Sequence, residues 1–194
     1  MKYVKIPAAV ASLCCAVLAS CAPEASLSPT KIPVSTSASR TSGSLSTRIL
    51  QEVNAYRATT GARPLGRNPG LDRLAQQHCE FLRKNRGTFK VHGSNVSHEG
   101  FESRTLMARR YYNISQLGEN VAAVGGGANN APGKMVQLWA ASPSHNFAMK
   151  GKNWTETGIG VVVDSDGMVF ATQLFGVAGM PQTSFRDGFN MSSF

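Results

Sequence analysis

The strongest constraint on the fold lies late in the chain, where two β-rich runs flank a turn signal. Residues 158–163 include Ile159, Val161, Val162 and Val163, residues 168–177 form a second run, and Asp166-Gly167 sits between them. Such runs on either side of Asp-Gly read as an antiparallel hairpin. Ahead of the hairpin the period changes. Ile49, Leu50, Val53 and Tyr56 recur at helical spacing, with Ser46 or Thr47 as a candidate cap and Gly61 and Pro64 marking the exit. Asn68-Pro69 opens a second helix with a buried stripe of Leu71, Leu74, Ala75, His78 and Leu82, bordered by Cys79 and ending near Gly87. A third helix is expected over 102–112, with Ala108 and Tyr111 inward, then a short extended piece over 120–124 and a loop over 125–131. A fourth helix, from Pro132, would carry Met135, Leu138 and Trp139 and stop before Pro143. Helices first and a hairpin last predict an α+β domain, and local pattern specifies no more than that.

The ends of the chain point to export. Lys2 and Lys5 precede an almost unbroken apolar run over 6–18, and Leu18-Ala19-Ser20-Cys21 follows. A basic start, a short apolar stretch and a small-residue cleavage site make a secretory signal, and the run is shorter than the ~20 residues of a membrane span. Leu-Ala-Ser-Cys resembles the bacterial lipobox, which implies cleavage before Cys21, lipid on its thiol and acylation of the new amino terminus. Several acyl chains anchor stably where one is marginal. The expected organisation is a signal peptide over 1–20, a tether over 21–44, a globular domain over 45–179 and a tail over 180–194. The tether is rich in Ser, Thr, Pro and Ala, cannot bury a core, and reaches roughly 25 Å as a coil.

Cysteine and charge narrow the classes further. With Cys14 and Cys15 in the signal and Cys21 carrying lipid, only Cys79 remains, so the domain has no internal disulfide and depends on its apolar core. Loss of Lys2 and Lys5 takes the net charge from +9 to +7, because no acidic residue precedes Cys21. A mildly basic surface suits phospholipid heads, lipopolysaccharide or wall polymers. Scattered basic residues on an exported chain argue against nucleic acid. The Gly-rich loop ending at Gly133-Lys134 is not a phosphate loop, since Ala128 and Met135 stand where Gly and Ser or Thr are required.

Several short motifs also stand in one order. They are ILQEVNAYRATTGARPL over 49–65, NPGLDRLAQQHC over 68–79, and Ser97-His98-Glu99-Gly100 with Arg104 soon after. Gly118-Glu119-Asn120-Val121-Ala122 follows, then LWAASPSHN over 138–146, Gly158-Ile159-Gly160-Val161 and Ala171-Thr172-Gln173-Leu174-Phe175. Together they resemble the CAP superfamily, the SCP-like extracellular domain named for cysteine-rich secretory proteins, antigen 5 and pathogenesis-related 1, and in particular its compact bacterial branch. The resemblance covers roughly 45–177. It implies an α-β-α sandwich, with a small antiparallel sheet between helical layers, and a cleft in which His98, Glu119 and His145 take the positions of the first His, first Glu and second His. Where longer members carry a second Glu, this chain has Ser142, a candidate polar neighbour.

Two imidazoles and a carboxylate can hold a divalent metal such as zinc, with His98 and His145 as the expected ligands, or act as acid and base near neutral pH. The resemblance implies no required cofactor. His92 competes with His98 for the first position. Cys79 reads as a small buried hydrophobe, and Trp139 as core. No Ser or Cys nucleophile pairs with a His by motif, so no catalytic residue is assigned. The expectation is a monomeric envelope binding module, not an enzyme, for a lipid, wall component or protein partner. A scaffold and a metal-assisted hydrolase using the His/Glu/His cleft are the alternatives. Ala22 after Cys21 lacks the acidic residue of an inner-membrane retention signal, which leans the location toward an outer membrane, facing the periplasm.

Overall fold

A computed structural model describes residues 36–89 and 96–180, with side chains on the first helix described from Leu45 onward. Cys21, the lipobox, His92 and the C-terminal tail beyond Met180 lie outside the described residues. The order is α1 (Thr36–Thr59), β1 (Gly66–Arg67), α2 (Pro69–Lys84), α3 (Phe101–Tyr112), β2 (Ile114–Val124), α4 (Ala131–Ala141), α5 (Pro143–Lys150), β3 (Glu156–Val163) and β4 (Val169–Ala178). No helix among the described residues is long and apolar enough to cross a membrane.

The four strands run β1-β3-β4-β2. The expected hairpin is present: β3 and β4 pair antiparallel from Glu156↔Gly176 to Val163↔Val169. Gly167, at φ +83°, and hydrogen bonds from Gly167 N to Asp164 O and Asp164 N to Met168 O close the turn. β2 pairs antiparallel with the other side of β4, placing Glu119 opposite Leu174, and forms one edge of the sheet. The sheet is not wholly antiparallel, because β1 joins β3 in parallel through Gly66↔Glu156 and Arg67↔Thr157. Two residues carry no periodicity, so no sequence pattern announces β1.

Side-chain alternation along the strands separates two larger clusters, beside a smaller one of Leu82, Val121 and Phe170. Ile159, Val161, Val169, Ala171, Phe175, Ala122 and Val124 meet Ile49, Val53, Met135, Trp139 and Met149 from α1, α4 and α5. Leu174 and Ile114 meet Leu71, Leu74, Ala75 and Ala108 from α2 and α3. This is the α-β-α sandwich. Gly158 and Gly160 make the α2 side possible. A Cβ at either would strike the backbone of Leu71 or Ala75, so only glycine lets α2 lie this close. α2 also satisfies β3, since Asp72 Oδ1 accepts from Ile159 N at 2.9 Å and Gln76 Oε1 from Val161 N at 3.0 Å. Asn68 caps α2, accepting from Gly70 N and Leu71 N, with Pro69 just inside the helix.

Several local expectations change. α1 begins at Thr36, inside the stretch read as tether, so neither Ser46 nor Thr47 is its cap. Once the apolar half of a helix is docked, adding turns is cheap compared with nucleation, even through Ser and Thr. On α3 the inward residues are Arg104 and Ala108, with Tyr112 packed against the Leu71 cluster, while Tyr111 is 63% exposed. The i, i+4, i+8 stripe selects Tyr112 and turns its neighbour outward. Leu138 is likewise outside, although Trp139 is fully buried. β2 begins at Ile114 rather than near Asn120. Pro143 starts α5, which local pattern does not announce. Ser142, driven extended (φ −89°, ψ 122°) ahead of Pro143, ends α4 and precedes α5.

Candidate functional site

Three elements bring the site together at the free edge of β2. His98 precedes the Gly100 turn (φ +75°) that leads into α3, Glu119 lies on β2, and His145 lies on α5. Alternation along β2 sends Glu119 toward α3 and Asn120 toward α5, where Asn120 Nδ2 donates to His145 O at 3.1 Å. Tyr56 Oη donates to Asn146 Oδ1 at 2.8 Å, and Asn146 Nδ2 donates to Ala140 O, which ties the α4–α5 corner to α1.

The Glu119 carboxylate is the fixed centre. Its side chain is 2% exposed. Arg104 grips both oxygens, Nε with Oε2 at 2.7 Å and Nη2 with Oε1 at 2.8 Å. His98 Nδ1 also meets Oε1 at 2.8 Å. Arg104 Nη1 donates to Glu99 O at 2.8 Å, so one guanidinium fastens the 98–100 loop to the sheet. A two-point guanidinium–carboxylate pair is among the stronger and more directional hydrogen-bonded arrangements. With Nδ1–H donating to Glu119, the other ring nitrogen of His98, Nε2, is left free of the carboxylate. The His98 and His145 rings lie 6.1 Å apart, centre to centre, tilted by 48°. Burial, and secondarily His98, hold His145 below the ordinary imidazole pKa.

The geometry joins the expected trio only in part. His98 and Glu119 bond directly, and His145 approaches His98. Ser142 contributes no bond to the trio, its Oγ lying 3.3 Å from Ser144 Oγ. Glu119 is already claimed by Arg104 and His98, and the described residues contain no group of three or more His, Cys, Asp or Glu placed to hold a metal ion. The residues present therefore do not fit a three-donor metal centre; they offer two imidazoles and a carboxylate that orients one of them. Arg104 is the participant that sequence reasoning leaves without a role. Its signal is a basic residue on the apolar stripe of a helix, four positions before Ala108, where a buried carboxylate must answer it.

A groove lies behind this site, between α2 and α3. It encloses about 310 Å³, with Leu74, Phe81 and Met107 as apolar walls and Gln77, Ser103 and Arg104 among its polar lining. His78 also lines it, stacked on Phe81 at 5.9 Å, its Nε2 2.8 Å from Ser97 O. Burial lowers the His78 pKa, with Glu119 opposing. Cys79, the one cysteine among the described residues and free there, is fully buried against Thr172 Oγ1, and burial pushes its thiol up to about 12. A thiol so desolvated is not a nucleophile at neutral pH.

A family comparison matches residues 50–175 to CAP, the cysteine-rich secretory protein family. The chain belongs to the CAP family. Sequence comparison with curated proteins finds no match. Among solved structures, an outer surface protein of Borrelia burgdorferi superposes with a TM-score of 0.54 at 18% identity, over 70% of this chain and 93% of that one. An extracellular SCP-domain protein of Bacillus anthracis gives 0.55 at 19% identity, over 74% of this chain and 44% of that one. A cysteine-rich secretory protein of Staphylococcus aureus gives 0.50 at 16%, over 70% and 38% respectively. The chain thus spans nearly all of the first protein and less than half of the other two. At these identities the likeness is one of fold, and it agrees with the sandwich described above.

Proposed function

We propose that this CAP-domain protein is exported, anchored to the bacterial envelope through lipidated Cys21, and works there as a binding module for an envelope lipid. The carrying observation is the locked state of Glu119. A carboxylate that is 2% exposed and held at both oxygens is fixed in place and turned away from any bound molecule. The Cys79 thiol is equally withdrawn. What remains accessible is a recognition surface: the His98 and His145 imidazoles and the groove behind them. At about 310 Å³ the groove falls at the lower end of the ~300–1,000 Å³ of small-molecule sites. Its Leu74, Phe81 and Met107 walls suit a segment of acyl chain, and Gln77 and Ser103 offer hydrogen bonds to a polar head. The lipobox and tether keep such a domain beside a membrane, and an outer membrane facing the periplasm is the location that Ala22 favours.

The test is displacement of a fluorescent fatty-acid probe from the processed chain carrying Cys21→Ser, which removes the anchor's own acyl groups. Saturable binding is expected, weakened at least ~10-fold by Met107→Asp, which sets a charge against an apolar chain. Absence of saturable binding, or unchanged affinity in the variant, refutes the groove as the site. Feeding cells a palmitate analogue tests the anchor separately: wild type should be labelled and Cys21→Ser should not.

A further inference from the structure

α3 carries a second surface, outside the cleft and meeting the groove only at Ser103 and Met107. Arg104 and Ala108 are buried, while Glu102, Ser103, Leu106, Met107, Arg109, Arg110 and Tyr111 all face outward. Leu106 is 64% exposed, Met107 42% and Tyr111 63%. Of the six large hydrophobic residues exposed among the described residues, these three belong to this one helix. At ~100° per residue Arg110 sits at the middle of the exposed arc, with Leu106 and Met107 on either side. Arg110 lies over the Tyr111 ring at 5.7 Å. Arg73 of α2 lies over the ring of Tyr112, on the inward stripe of the helix, at 5.4 Å. The helix holds one acid, Glu102, in its first turn, away from the end that carries Arg109 and Arg110.

Exposed aliphatic side chains that alternate with arginines, plus a tyrosine body held against a guanidinium group, have the chemistry of a water–lipid boundary. There apolar tips enter the acyl region and cations meet phosphate. Met, Tyr and Arg are also enriched at protein interfaces; the pairing of Arg109 and Arg110 at an end of the helix that holds no acid favours an anionic surface. We propose that the outer face of α3 is a docking surface for an anionic phospholipid bilayer. Leu106, Met107 and Tyr111 enter the headgroup layer, and Arg109 and Arg110 contact lipid phosphates. The contact would turn the groove, of which α3 is one wall, toward the membrane. This rests on the proposed function only in placing the domain beside a bilayer.

The experiment is vesicle flotation of the processed chain with Cys21→Ser, using phosphatidylcholine alone and a phosphatidylcholine–phosphatidylglycerol mixture. Binding is expected to the mixture and not to phosphatidylcholine. Arg109→Gln with Arg110→Gln should weaken it ~30-fold, at about tenfold per 1.4 kcal/mol and ~1 kcal/mol per basic residue near an anionic surface. Arg63→Gln with Arg83→Gln, the same change in net charge at exposed positions off this helix, should weaken it only a few-fold. A Leu106→Trp variant should show a blue shift in the emission of the introduced indole on the mixed vesicles, read as the difference from the parent chain. Equal binding to both vesicle types, equal loss in the two double variants, or no blue shift in that difference overturns the proposal. Fatty-acid probe binding, measured on the same samples, is independent of α3's outer charges; its loss would count against the groove and leave the docking face standing.

Discussion

Replacing Arg104 by Met removes the cation from a carboxylate that cannot reach water. The Glu119 side chain is 2% exposed and that of Arg104 10%, so the pair is a buried one rather than a screened surface bridge. Two bonds to the carboxylate, at 2.7 and 2.8 Å, and one to Glu99 O are lost together. Breaking a buried pair from one side costs ~3–5 kcal/mol, because the charge left behind is uncompensated. His98 keeps its bond to Oε1 and is 54% exposed, which moves the expectation to the lower end, ~3 kcal/mol. Adding Glu119→Gln removes that stranded charge. The Arg104→Met, Glu119→Gln double variant should therefore be more stable than Arg104→Met alone, with a coupling of ~2 kcal/mol, inside the range for contacting residues. Urea unfolding at neutral pH, followed by far-UV circular dichroism, measures all four corners of the cycle. A loss below ~1 kcal/mol for Arg104→Met, or simple addition of the two single effects, would show that Glu119 is hydrated or otherwise partnered. It would then remove the basis for calling it a fixed carboxylate.

Three further outcomes follow from the same structure. Gly160→Ala should destabilise by ~2–3 kcal/mol in urea unfolding, since its Cβ would meet the Ala75 backbone and push α2 off the sheet; an unchanged midpoint would refute that packing. His78 and His145 both titrate below the ordinary imidazole value because of burial, so the unfolded chain binds protons first as pH falls. Their contribution to stability should accordingly fall as pH drops below about 6.5 toward their depressed folded values. His78→Gln should flatten that slope between neutral and mildly acidic pH, and a slope unchanged by the variant would contradict it. Cys79 should resist a thiol reagent at neutral pH in the folded protein and react on unfolding; rapid native labelling would show that the thiol is not sealed beneath Thr172.

How much of the fold is legible in the sequence depends on the range of the interaction. α2 is legible almost residue by residue, from the Asn68-Pro69 start to the Leu71, Leu74, Ala75, His78 and Leu82 stripe, because capping and a 3.6-residue period are local. The β3–β4 hairpin is legible for the same reason. α5 escapes local pattern because Pro143 reads as an ending when it also serves as a beginning. Tyr111 is misplaced by pattern because one residue decides which side of a short helix faces inward. In the site, His98, Glu119 and His145 come from motif resemblance, and the structure joins the first two by a hydrogen bond and sets the third beside them. The role of Arg104 stays hidden, since an arginine in a helix is ordinary until its partner is known.

By itself, then, the sequence determined the α+β class, the helix start that follows Asn68, and a core in which Cys79 is a small buried hydrophobe. These rest on stereochemistry and periodicity within a few residues. Only the tertiary structure decided the rest. The order β1-β3-β4-β2 puts β2 at an edge, where residues 98, 119 and 145 can meet. The alternation of that strand sends Glu119 to Arg104 and Asn120 to His145 O. Whether a carboxylate is a free ligand or a locked strut depends on what a distant helix places within hydrogen-bonding reach of it, and no local pattern carries that information.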